Sequence, residues 1–136
     1  KAAYVGAGMQ AISKHTRTAF SIRIDRDEEV VAYSAVVGKS RFYGGRFMVT
    51  PGASLQDEYL DLCAFTGKGA CRMLWNAVAI IANRHLPLSG VYVARARTLE
   101  IFSREKVHVQ VDGDYLGSLP IRCGVAKNEL SIMAPP

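Results

Sequence analysis

At 136 residues, with 49% hydrophobic and 21% charged residues, the chain is long enough to bury one core and too ordinary in composition for a disordered, collagenous or repeat protein. A net charge of +5 permits attraction to phosphates or to an anionic membrane surface, but the Lys and Arg residues are scattered and form no nucleic-acid module. The three cysteines, Cys63, Cys71 and Cys123, have no C-x-x-C spacing, and the longest apolar run, Ala77 to Ala82, is too short to cross a bilayer. With no signal peptide at the start, a cytoplasmic protein with free thiols is expected.

Along the chain, Lys1 to His15 spaces Val5, Met9 and Ile12 at helical intervals and predicts a short helix, weakened by Gly6 and Gly8. Phe20, Ile22 and Ile24 alternate with polar residues and read as a strand. The polar run Asp25 to Glu29 then predicts a hairpin into Val30 to Val37, a strand without alternation that should be covered on both faces. Lys39 to Gly45 is a loop carrying Tyr43-Gly44-Gly45. Phe47 to Thr50 predicts a short strand, stopped by Pro51-Gly52, and Leu60 to Thr66 predicts another.

Beyond Gly67-Lys68-Gly69, Ala70 to Arg84 is the best helix in the chain, with Leu74, Val78 and Ile81 on one face and apolar residues over most of its circumference. Such a helix is either sandwiched inside the protein or turned towards lipid or a partner. Val91 to Phe102 predicts one long strand with Arg95 and Arg97 on the same face, either meeting phosphate or forming a solvated sheet face.

Val107, Val109 and Val111 alternate with His108, Gln110 and Asp112, and Asp112-Gly113 supplies hairpin-turn chemistry. Leu119, Ile121, Cys123 and Val125 continue the alternation on the return strand, which holds Asp112 and Asp114 at a rigid corner. Leu130 and Ile132 end the chain as a last strand. About eight strands and one good helix predict a mainly β fold, an antiparallel β-sandwich with a helical insertion. His15 and His85 stand near predicted helix ends, where a cationic ring favours the dipole, and His108 points outward.

On the residues alone, Asp114 is either a turn-capping carboxylate or a base that a paired corner can aim. Asp57, Glu58 and Asp61 form an acidic cluster, read either as a solvated loop or as an attractor for a cation. No H-E-x-x-H, G-x-S-x-G or Walker-type loop occurs.

Two blocks carry a resemblance. The run V-Q-V-D-G-D-Y-L-G-S-L-P at 109–120 resembles the V-D-G-E-P-L segment of the bacterial diacylglycerol kinase and sphingosine kinase-like lipid kinases. The run F-Y-G-G-R-F-M-V-T-P-G-A-S-L-Q-D-E-Y-L-D at 42–61 is similar to the G-G-G-M, P-x-A and D-G-L-L-D pattern of that family. The resemblance implies that Asp114, standing where the family has Glu, is the general base that accepts the proton of a lipid hydroxyl as it attacks the terminal phosphate of ATP.

It further implies a Mg2+ ion held by the Asp57 side chain and the main-chain carbonyls of Ser54 and Tyr59, with Glu58 standing where the family commonly has Gly. The family's G-G-D-G-T nucleotide loop is absent from these residues. Residues 1–136 are therefore expected to be the C-terminal domain of an ATP-dependent lipid kinase, inactive alone. The implied partners are an N-terminal nucleotide-binding domain, ATP and a lipid, with possible peripheral membrane contact. A non-catalytic lipid-binding or regulatory sandwich is the alternative, and an NAD-phosphorylating kinase fits the V-D-G-D-Y-L end less well.

Overall fold

A computed structural model describes residues 18–43, 47–82, 84–86 and 88–126. The helix expected over 1–15, the Gly44-Gly45 pair and the strand expected at 130–132 lie outside them. Eleven strands and one helix occur among the described residues: β1 (Phe20–Ile24), β2 (Glu28–Ala32), β3 (Ser34–Gly38), β4 (Phe42–Tyr43), β5 (Phe47–Met48), β6 (Leu60–Phe65), α1 (Ala70–Ile81), β7 (Val91–Ala96), β8 (Thr98–Phe102), β9 (His108–Val111), β10 (Asp114–Ser118) and β11 (Ile121–Gly124).

The strands pair antiparallel throughout. One sheet has the order β11-β8-β1-β2 and another the order β3-β6-β7, while β9-β10 and β4-β5 form separate two-stranded ribbons. The alternation of β1 turns Phe20, Ile22 and Ile24 inward. There they meet Leu99 and Ile101 of their own sheet and Leu60, Leu62, Ala64 and Ala96 of the facing one. This is the mainly antiparallel β-sandwich with a helical insertion that the sequence predicts.

Fully burying a side chain such as Ile22, Leu62 or Leu99 contributes about 1.5–3 kcal/mol each. Every residue of β6 is buried, because its Leu60, Leu62 and Ala64 face the sandwich while Cys63 and Phe65 face a second cluster under α1 with Val36 and Ile80. Burial pushes the Cys63 thiol up to about 11.

Two expected strands are each divided. The 30–37 strand breaks at Tyr33, whose N–H donates to the Phe65 carbonyl at 2.9 Å, so that β2 and β3 belong to different sheets. Val31 is half exposed rather than covered on both faces. The 91–102 strand breaks at Arg97, where the Asp25 carboxylate accepts the N–H groups of Arg97 at 2.9 Å and Thr98 at 2.7 Å. The chain crosses between the layers at single residues, and the acceptor that the lost ladder partner would have provided comes from a main-chain carbonyl at Tyr33 and from the Asp25 side chain at Arg97.

The return strand after Asp112-Gly113 is divided as well. β10 completes the hairpin and β11 leaves to pair with β8, although Leu119, Ile121, Cys123 and Val125 do pack on the core as expected. The helix stops at Ile81 rather than Arg84. His85, expected near a helix end, instead sits beyond Ile81 in the interior. It is 2% exposed, and its Nε2 lies 3.0 Å from the Val49 carbonyl.

Candidate functional site

The β9–β10 hairpin owes its reversal to two residues. Asp112 (φ 52°) and Gly113 (φ 98°) both sit in the left-handed region, as a tight two-residue turn requires. Asp114, the first residue of β10, pairs with Val111 and its side chain is exposed. The ribbon is braced by the His108 and Tyr115 rings, with centroids 5.5 Å apart, and by a Leu119 N–H bond to the Val107 carbonyl at 2.9 Å. A register shift between Tyr115 and Gly117 marks a bulge there. Around Asp114 the ribbon presents apolar side chains to water: Val111, Tyr115 and Leu116 are 51%, 66% and 61% exposed.

The 51–59 loop is built differently. Ser54, Asp57 and Tyr59 come together in it, and the Asp57 N–H donates to the Ser54 carbonyl at 3.3 Å. The Lys39 ammonium, at the end of β3, donates to the carbonyls of Asp57 and Tyr59, the latter at 3.1 Å. The Arg95 guanidinium donates to the Asp57 carboxylate and lies 3.5 Å from that of Asp61, which is largely buried beneath it. Arg97 pairs with Glu58 at 3.6 Å.

Both arginines lie over the Tyr59 ring, 5.3 and 5.2 Å from its centroid. The pKa of Arg95 is raised, chiefly by its bond to Asp57, and that of Arg97 by its bond to the Tyr59 hydroxyl. The two arginines therefore share one side, as the alternation predicts, but they close on acids of the same chain.

The fit of Mg2+ follows from these contacts. Two of the acceptors the ion needs, the Asp57 carboxylate and the Tyr59 carbonyl, are engaged by resident cations, and the Ser54 carbonyl already accepts an N–H. Among the described residues no group of three or more His, Cys, Asp or Glu gathers around a metal-sized space. As placed, the residues do not fit the ion, because the Lys39 and Arg95 charges would have to withdraw first. Lys39 was not among the predicted site residues. Only its distance from the loop, 18 and 20 positions along the chain, hid it.

A third feature lies between α1 and the outer side of the β3-β6 layer. A cavity of about 150 Å3 is lined by Val36, Phe65, Met73, Ala77 and Ile80, with Tyr33, Ser34, Gly67 and Asn76 completing the wall. Its walls are mainly apolar, which suits hydrocarbon. Asp114 stands apart from the 51–59 loop, on a ribbon that belongs to neither layer of the sandwich.

Residues 1–134 match the family described as the YegS C-terminal NAD kinase beta sandwich-like domain. A diacylglycerol kinase of Mycobacterium tuberculosis (strain ATCC 25618 / H37Rv) is 26% identical over 134 residues, covering 97% of this chain and 43% of that protein. A crystal structure of a diacylglycerol kinase from Bacillus anthracis str. Sterne superposes with a TM-score of 0.59 at 19% identity, over 86% of this chain and 42% of that one. At that identity the superposition speaks for the fold. The chain thus spans less than half the length of the relatives it matches.

Proposed function

The chain belongs to the YegS C-terminal NAD kinase beta sandwich-like domain family, and from that membership we propose that it is the C-terminal domain of a lipid kinase. The reaction is transfer of the terminal phosphate of ATP to a hydroxyl of a diacylglycerol or sphingoid-base lipid, with the nucleotide gripped by a preceding domain.

The observation that carries this reading is the exposure of Asp114 on a braced two-residue reversal, ringed by uncovered apolar side chains. A carboxylate so placed has room for a lipid hydroxyl and for a second lobe bearing the phosphates. It accepts the hydroxyl proton as the oxygen attacks, while the strand pairing fixes its position. No step runs through a metal at the 51–59 loop, whose carboxylates are neutralised by Arg95 and Arg97.

Expression of the two-domain protein and assay of labelled ATP against diacylglycerols and sphingosine tests the reading. Phosphorylated lipid is expected, and a folded two-domain protein that phosphorylates no lipid acceptor contradicts it. The shorter acid at 114 favours a second reading, a lipid-binding sandwich without catalysis. It is separated from the first by Asp114→Glu, which changes turnover only in an active kinase.

A further inference from the structure

The outer side of α1 is built of the wrong residues for water. Leu74, Trp75, Val78 and Ile81 recur at helical spacing on one face and are 64%, 63%, 50% and 65% exposed. The opposite face supplies buried Asn76 and Ala79 and half-buried Met73 and Ile80. A helix that buries one face and leaves four large apolar side chains on the other has not finished burying its surface.

Charge indicates what finishes it. From Leu62 to Leu99 the sequence contains no Asp or Glu. Exposed Lys68 and Arg72 stand at the start of the helix and exposed Arg84 just beyond its end. Arg72 is held across the loop that follows the helix by bonds to the Ser89 carbonyl at 2.6 Å and its hydroxyl at 3.3 Å. An apolar face containing a tryptophan, with basic groups at both ends and no acid in the chain segment around it, matches an anionic bilayer surface: hydrocarbon takes the face and head groups take the ends. A second copy docking by a twofold axis would bring these cationic ends into one interface without acidic partners on the helix.

We propose that α1 is a membrane-docking surface, lying in the interface of an anionic bilayer with Leu74, Trp75, Val78 and Ile81 among the acyl chains and Lys68, Arg72 and Arg84 at head-group level. The proposal deepens the lipid-kinase reading and rests on it for its purpose, since a kinase of bilayer lipids must reach them.

Flotation of the two-domain protein with phosphatidylcholine vesicles, with and without about one third phosphatidylglycerol, tests it. The wild type is expected to bind the anionic vesicles, less so at high salt, and the double variant Trp75→Ser/Ile81→Ser to bind them about tenfold or more weakly. Lys68→Glu/Arg84→Glu, a change of exposed charges only, is expected to lose the preference for phosphatidylglycerol.

Phosphorylation of a short-chain diacylglycerol dispersed in water should be equal in the wild type and both variants. If no lipid is phosphorylated by any of them while the binding difference persists, the kinase reading fails and the docking surface stands. Wild-type protein that ignores anionic vesicles, or binds them as well with either variant, overturns the proposal. So does a wild-type dimer that the serine variant turns into a monomer, which would assign the face to a second copy. A fall in thermal midpoint confined to the serine variant would assign it to another part of the same protein and overturns the proposal too.

Discussion

In the β9–β10 hairpin the carboxylate of Asp114 is exposed, whereas in the 51–59 loop Asp57 meets Arg95, Glu58 meets Arg97 and Asp61 lies beneath Arg95. Both regions carry family-like motifs, yet their acids are placed for opposite ends. Acids paired with two arginines, on a loop whose carbonyls a lysine grips, hold three segments together. A carboxylate left open on a braced turn is available to a substrate. Proximity of acids in sequence says little about chemistry until their counter-charges are located.

Breaking the hairpin without touching its acid should have the largest effect. A β-branched residue in place of Gly113, at φ 98°, forces the turn to rearrange. If the proposed function holds, a displacement of Asp114 by about 1 Å is expected to cost on the order of a hundredfold in kcat of the two-domain protein. Retention of full kcat by Gly113→Val would show that the position of the corner is unimportant.

The loop should behave in the opposite way. Lys39→Met leaves the carbonyls of Asp57 and Tyr59 without the ammonium that satisfies them. It should lower unfolding free energy in urea by about 1–3 kcal/mol while disturbing kcat far less than the hairpin variant does. An unchanged urea midpoint would mean that the lysine is not what ties the loop.

Much of this contrast is readable in the chain, and the unreadable part has a physical cause. V-H-V-Q-V-D-G-D shows the ribbon because alternation and a turn dipeptide are local signals, and the apolar run from Ala70 shows the helix for the same reason. The divisions at Tyr33 and Arg97 are invisible because neither point carries Gly or Pro. The second is fixed by Asp25, 72 and 73 positions away from its two N–H partners. The cations of the loop come from Lys39, Arg95 and Arg97, which only the folded sheet brings to it. The burial of His85 is not readable from sequence because its carbonyl partner, Val49, lies 36 positions upstream.

Metal should matter less than either substitution. With Lys39 and Arg95 on the loop's acceptors, a chelator or millimolar Mg2+ should leave the thermal midpoint of the wild type unchanged. A rise with Mg2+ would show that the ion displaces the lysine.

The thiols should respond least of all. Exposed Cys71 should react with a thiol reagent at once and buried Cys63 only on unfolding. The Cys63 pKa lies above its unfolded value, so the stability it contributes is complete below about pH 9 and is lost as the pH rises towards about 11. Labelling of Cys63 as fast as Cys71 in the folded protein would contradict the burial of β6.

The most direct measurement is kcat for Asp114→Asn in the two-domain protein at saturating ATP and lipid. The amide keeps the shape of the side chain and cannot accept the hydroxyl proton. A fall of about a hundredfold or more, with KM for ATP little changed and the unfolding midpoint intact, is the predicted result. Wild-type turnover by the asparagine variant would contradict the assignment of the β9–β10 corner as the catalytic base.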